Sequence, residues 1–134
     1  MNDPTAFADS NVLIYLVSDE PEKAAVAERL LRESLSISVQ VLNESASVLL
    51  GKLRQPWSDV DRFLALIRRS TRVYPVEERT HHIGIEVAKR YKLHIYDSMI
   101  VAAALLNGCD KLYSEDMHHG LVVENRLTIV NPFA

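Results

Sequence analysis

Four acidic residues, Asp9, Glu44, Asp97 and Asp116, are the part of this sequence best suited to chemistry. Their spacing is too wide for a local motif, so they can act together only if the fold gathers them. Asp9 closes a short apolar run, Asp97 opens a strongly apolar helical stretch, and Asp116 lies just past a second extended run. In an open α/β sheet, ligands bind outside the carboxyl ends of the strands, which is where Asp9 and Asp116 fall. Glu44 is different: it shares the polar flank of a helix with Asn43, Ser47, Gly51 and Arg54, and periodicity alone does not select it. Converging carboxylates repel one another unless they are protonated or neutralised, and hard oxygen donors of this kind suit Mg²⁺ or Mn²⁺. Such an ion lowers the pKa of a water and stabilises the attacking and leaving oxygens of a phosphodiester displacement. Taken singly, each acid has a plainer reading: Asp97 as a helix cap, Asp116 as a turn residue, Glu44 as a solvated charge.

Other chemistries find less support. His81-His82 and His118-His119 are adjacent pairs, which point in different directions on a helix and lack the spacing of a helical zinc site. Cys109, the only cysteine, reads as a small buried hydrophobe and excludes an intramolecular disulfide, as in a reducing cytosol. No nucleophile-elbow sequence surrounds Ser10, Ser98 or Ser114, and Gly51-Lys52 lacks the glycine spacing of a phosphate-binding loop. Phosphate contacts are sought in Lys52 and above all in Arg54, which shares the polar side with Glu44; Trp57 and Tyr96 are candidates for stacking on bases.

The elements that must position these residues alternate along the chain. Thr5 to Ala8 reads as a first strand, Val12 to Leu16 as a short helix, and Pro21 as the start of a longer helix behind Asp19 and Glu20. Leu35, Ile37, Val39 and Val41 alternate with polar residues, which predicts a strand over 35–41. Leu42, Ala46, Leu49 and Leu53 then mark a helical face, and Pro56 ends it. Ser58 and Asp61 have capping-box spacing before the next helix. Val73 to Val76 is extended, with Pro75 suggesting a sheet edge; Glu77 and Glu78 lead a helix; Ser98 to Leu106 is a buried helix stopped at Gly108. Lys111 to Tyr113 and the run Leu127, Ile129, Val130 are strands. The alternation predicts one α/β domain over 1–134, a three-layer α/β/α arrangement around a mainly parallel sheet. The net charge of -3 argues against a generally basic coat, yet four ligand carboxylates would account for it, so RNA is compatible. MNDPTAFAD has neither the basic start nor the apolar run of a signal peptide, and no apolar run is long enough to span a bilayer; a soluble cytoplasmic protein with no membrane association is expected.

With these residues in view, DSNVLIY from Asp9, VLNES around Glu44, YDSMIVAAALLNGCDKLYSED from Tyr96 and the closing VVENRLTIVNPF resemble the PIN-domain ribonucleases, and more narrowly the VapC-type toxins of bacterial toxin–antitoxin pairs. The resemblance spans almost the whole chain in the right order. It implies a Mg²⁺-dependent endoribonuclease in which Asp9, Glu44, Asp97 and Asp116 hold the metal, with Mn²⁺ as a substitute, and activated water cleaves RNA. By the same resemblance Asn11 orients Asp9 or the scissile phosphate, and Ser114 supports the metal shell by hydrogen bonding. Ser10 conforms to the hydroxyl residue usual beside the first acid. The family further implies a homodimer and a small antitoxin that wraps over the cleft and can place an arginine among the acids; candidate apolar faces are Val12 to Leu16 and the helix from Leu42 to Leu53. Three alternatives stay open: a non-catalytic RNA- or protein-binding PIN module, a housekeeping RNA-processing nuclease, and a Mg²⁺-dependent phosphatase with Asp9 as nucleophile. The last lacks the second acid of the haloacid dehalogenase pattern, where Asn11 stands instead.

Overall fold

The computed structural model describes residues 5–134; Met1 to Pro4, which belong to the stretch read above for a signal peptide, lie outside the described residues. Six strands form one sheet in the order β3-β2-β1-β4-β6-β5. These are β1 (Ala6–Ala8), β2 (Leu35–Ser38), β3 (Thr71–Tyr74), β4 (Lys111–Tyr113), β5 (Val122–Val123) and β6 (Leu127–Val130). All neighbouring pairs run parallel except β5 and β6. The adjacent interior strands β1 and β2 are buried at every position, as expected of parallel strands covered on both faces.

The helices are α1 (Ser10–Leu13), continued by a 3₁₀ turn at Ile14–Val17, α2 (Pro21–Arg32), α3 (Val39–Leu50), α4 (Trp57–Ser70), α5 (Glu78–Tyr91) and α6 (Ile95–Leu106). Right-handed crossovers from β1 to β2 to β3 place α1 through α4 on one face, and the return past β1 to β4 places α5 and α6 on the other. Helices α2 and α3 pack on β2 from the first side, and α6 packs on β2 and β4 from the second. The result is the three-layer α/β/α arrangement with a mostly parallel sheet. Phe7, Ile37, Ile100, Leu112 and Ile129 lie fully buried at its centre. No helix among the described residues is long and apolar enough to cross a membrane.

Where local pattern and fold disagree, packing explains why. The strand expected over 35–41 stops at Ser38, and Val39 already begins α3. Val41, Ser45 and Leu49 are the buried positions of α3, a four-residue spacing that turns the apparent period of two into the start of a helical stripe. That helix ends at Leu50, not Leu53, with Gly51 bonding back to the Ser47 carbonyl. The short helix expected at Val12 starts earlier, at Ser10, because Asp9 accepts the Ser10 amide. The Ser58/Asp61 capping box does not form, since Trp57 opens α4 directly after Pro56 without a side-chain cap. A reciprocal box does form at α5, where Glu77 and Thr80 each satisfy the other's backbone amide. The two-residue β5 was too short to read; it is joined to β6 through Glu124 and Asn125, both with positive φ.

Candidate active site

Strand order reverses at β1: the chain leaves it toward β2 and β3, then returns to lay β4 on its other side. The carboxyl ends of β1 and β4 therefore bound the crevice expected at such a switch point. Asp9 follows β1, and Ser114, Glu115 and Asp116 follow β4. From outside the sheet, α3 brings Glu44 and the first turn of α6 brings Asp97. Asp9, Glu44, Asp97 and Asp116 all line one cleft of about 740 Å³. Asp97 does not cap its helix: His94 does, its ring nitrogen accepting the Tyr96 amide at 3.3 Å, which leaves the Asp97 carboxylate uncommitted to the backbone.

Hydrogen bonds lock Asp9 in place. Its Oδ1 accepts the Ser10 amide at 2.7 Å, and its Oδ2 accepts the Ser114 hydroxyl at 3.0 Å and the Asn11 amide at 3.3 Å. Asn11 also reaches the Ser114 oxygen at 3.4 Å and accepts the Glu115 backbone N–H at 3.1 Å. The Ser10 hydroxyl lies between two acids, 3.4 Å from Asp9 Oδ1 and 3.3 Å from Glu44 Oε1. On α3, Gln40 donates to Glu44 Oε2 and to the Tyr96 carbonyl, both at 2.9 Å, and so ties Glu44 to the chain just before Asp97. Reading 35–41 as a strand hid this bond, which is an ordinary four-residue helical pair once Gln40 is placed in α3.

The electrostatics carry the cost of gathering these groups. Asp9 is only 2% exposed. Burial first, then the charges of Glu44 and Asp97, push its carboxyl up from 3.8 to about 7 against the hydrogen bonds from Ser114 and Ser10. Half-buried Asp97 is also raised, by burial and by Glu44 and Asp116, with His94 opposing. Hard oxygens under mutual repulsion are the donor set that suits a Mg²⁺ or Mn²⁺ ion, and Asp9, Glu44, Asp97 and Asp116 would hold it. Among the described residues no three acids, histidines or cysteines stand close enough to form a ready-made coordination sphere, so a cation would have to draw the carboxylates inward.

The remaining candidates divide. Lys52 lines the cleft, whereas Arg54 lies beyond the end of α3 at a φ of 52° and is not among the lining residues, so the helical face that grouped it with Glu44 does not extend to it. Tyr96 and Trp57 are exposed, and Tyr96 borders a second cavity of about 420 Å³ that has Glu44 in its wall. Of the apolar faces, Val12, Leu13 and Leu49 are consumed by the core, while Ile14, Val17, Val48 and Leu53 line the cleft. Spacing gave no signal for one further group: Tyr15 donates to Glu115 Oε1 at 2.6 Å, and Lys23 bonds Glu115 Oε2 at 2.7 Å. Burial pulls the Glu115 carboxyl up, but the bonds from Lys23 and Tyr15 outweigh it and hold it below the ordinary range.

A family model for the PIN domain matches residues 6–121, which takes in all four acids. The chain belongs to the PIN-domain family. Solved structures bear out the fold of this PIN domain. One is the Mycobacterium tuberculosis toxin VapC20, described as cleaving the sarcin-ricin loop, at 21% identity and a TM-score of 0.68 over 83% of this chain and 89% of that one. Another is a toxin–antitoxin complex from Klebsiella pneumoniae, at 21% identity and a TM-score of 0.72 over 95% and 97%. A third is VapBC2 from Rickettsia felis bound to a DNA fragment from its promoter, at 14% identity and a TM-score of 0.69 over 92% and 96%. No curated protein matches the chain.

Proposed function

We propose that this PIN domain is a divalent-metal-dependent endoribonuclease and the toxin of a toxin–antitoxin pair. The observation that carries the reading is the convergence of Asp9, Glu44, Asp97 and Asp116 in one cleft at the switch point of the sheet. A Mg²⁺ or Mn²⁺ ion held there would supply positive charge to the phosphodiester and lower the pKa of the attacking water. The chain's own residues do the rest. Ser114 and Asn11 fix the rotation of Asp9 by binding its Oδ2, and Gln40 fixes Glu44. Lys52 at the cleft wall contacts backbone phosphate, and Arg54 extends this contact outside the cleft. Against a phosphatase with Asp9 as nucleophile stands Asn11, which occupies the position of the second acid in the haloacid dehalogenase pattern.

Structural likeness to toxin–antitoxin complexes supports a small antitoxin as partner. An amphipathic antitoxin segment fits the cleft wall formed by Ile14, Val17, Val48 and Leu53, where an arginine could neutralise the acids in place of the metal. The functional unit is a homodimer in the cytoplasm, and the domain comprises the whole of 1–134. Incubating the purified chain with RNA tests the reading: cleavage requires Mg²⁺ or Mn²⁺, stops with EDTA, and is lost in Asp9→Ala. Cleavage that survives both would refute it, and an absence of cleavage with RNA still bound would make the domain a binding module.

A further inference from the structure

The turn after β4 holds three polar residues in a row: Ser114 bonds Asp9, Asp116 lines the acidic cleft, and Glu115 lines it too but has its carboxylate engaged by other partners. Both oxygens of Glu115 are taken, Oε1 by the Tyr15 hydroxyl and Oε2 by Lys23. Lys23 also lies 3.2 Å from the Tyr15 oxygen, 4.8 Å from the centre of the Tyr15 ring and 5.4 Å from that of Phe133. This differs from the ordinary ion pairs of the chain. Arg62–Asp59, for instance, joins neighbours on one helix with side chains 78% and 44% exposed, whereas Lys23–Glu115 joins α2 to the β4 turn with 34% and 23%. Surface pairs of the first kind contribute little, but a partly enclosed pair with a shared hydroxyl and two ring faces holds one geometry. The geometry reaches Asp9 in two steps: the Glu115 N–H donates to Asn11 Oδ1, and Asn11 donates to Asp9 Oδ2 and the Ser114 oxygen.

We propose that Glu115, although it lines the cleft, is a positioning residue whose carboxylate Lys23 and Tyr15 keep from the metal, and that this clamp sets the β4 turn so that Ser114 meets Asp9 and Asp116 faces the cleft. The assignment rests on the nuclease reading for its effect on rate, but not for its effect on the turn. The test compares the unaltered chain with Glu115→Gln, Lys23→Met, Lys23→Arg and Asp116→Asn, measuring Mn²⁺ binding by paramagnetic resonance, RNA cleavage at saturating Mg²⁺, and exchange of the amide hydrogens of Glu115 and Met117, which donate to Asn11 Oδ1 and Ser114 Oγ. Lys23→Met and Glu115→Gln should lower kcat about tenfold while leaving the Mn²⁺ Kd within about twofold, as expected of partners outside the metal's own ligands. Exchange at the two amides should accelerate about tenfold in Lys23→Met, and Lys23→Arg should restore both rate and protection. An Mn²⁺ Kd in Glu115→Gln weakened as far as in Asp116→Asn would make Glu115 a ligand and overturn the proposal. So would unchanged exchange and rate in Lys23→Met. If the unaltered chain cleaves no RNA, the nuclease reading falls, and Mn²⁺ affinity with amide exchange still decides the clamp.

Discussion

With its carboxyl pushed up to about 7, Asp9 keeps a proton in the folded, metal-free chain across an interval where the unfolded residue, at 3.8, has lost it. The folded state then binds more protons than the unfolded one between about pH 4 and 7, so this group's contribution to stability falls as pH rises through that window. Thermal melts of the metal-free protein should show Tm dropping from pH 5 to pH 7.5, and Asp9→Asn should flatten the drop. A divalent cation favours the ionised form, so saturating Mn²⁺ should restore Tm at pH 7.5 and do so far less in Asp9→Asn. Ser114 makes the complementary case. Its hydroxyl is fully buried and is the strongest influence holding the Asp9 carboxyl down. Ser114→Ala should therefore raise the pH at which cleavage sets in and lower the rate about 10- to 100-fold at neutral pH, read from a pH–rate profile.

Elements bring the acids within reach, and one close contact between them involves the helix that carries Asp97. Helices α5 and α6 pack closely where Gly84 faces Met99: a Cβ at position 84 would lie 2.6 Å from the Met99 sulfur and 3.4 Å from its Cα. The thioether is the movable end of a flexible side chain, and alanine is the better helix former by about 1 kcal/mol, so Gly84→Ala should change stability by less than about 1 kcal/mol. Gly84→Val has no such relief and should cost about 1–3 kcal/mol in chemical denaturation, with a matching loss of Asp97-dependent activity. Much of this layer was legible in the sequence. The strand at Lys111–Tyr113 and the buried helix after Asp97 follow from apolar pattern, because a helix apolar all round belongs inside. The passage from β2 into α3 was not, since Ile37, Val39 and Val41 satisfy a period of two while the chain already coils. The clamp on Glu115 was also hidden: its partners are remote in sequence, and only the fold brings Tyr15 and Lys23 beside it.

At the scale of the molecule, β1 lies between β2 and β4, with Ala6 beside both Leu35 and Lys111. The central strand thus has one neighbour from early in the chain and one from near its end. Contacts of such long sequence separation form late, after the cost of closing the intervening loop has been met. Asp9 consequently waits for Ser114 and Asp116 throughout synthesis. A polypeptide broken off before β4 has its first acid in hand but neither Ser114 nor Asp116 beside it, so the acidic cleft stays unassembled until that strand has joined the sheet.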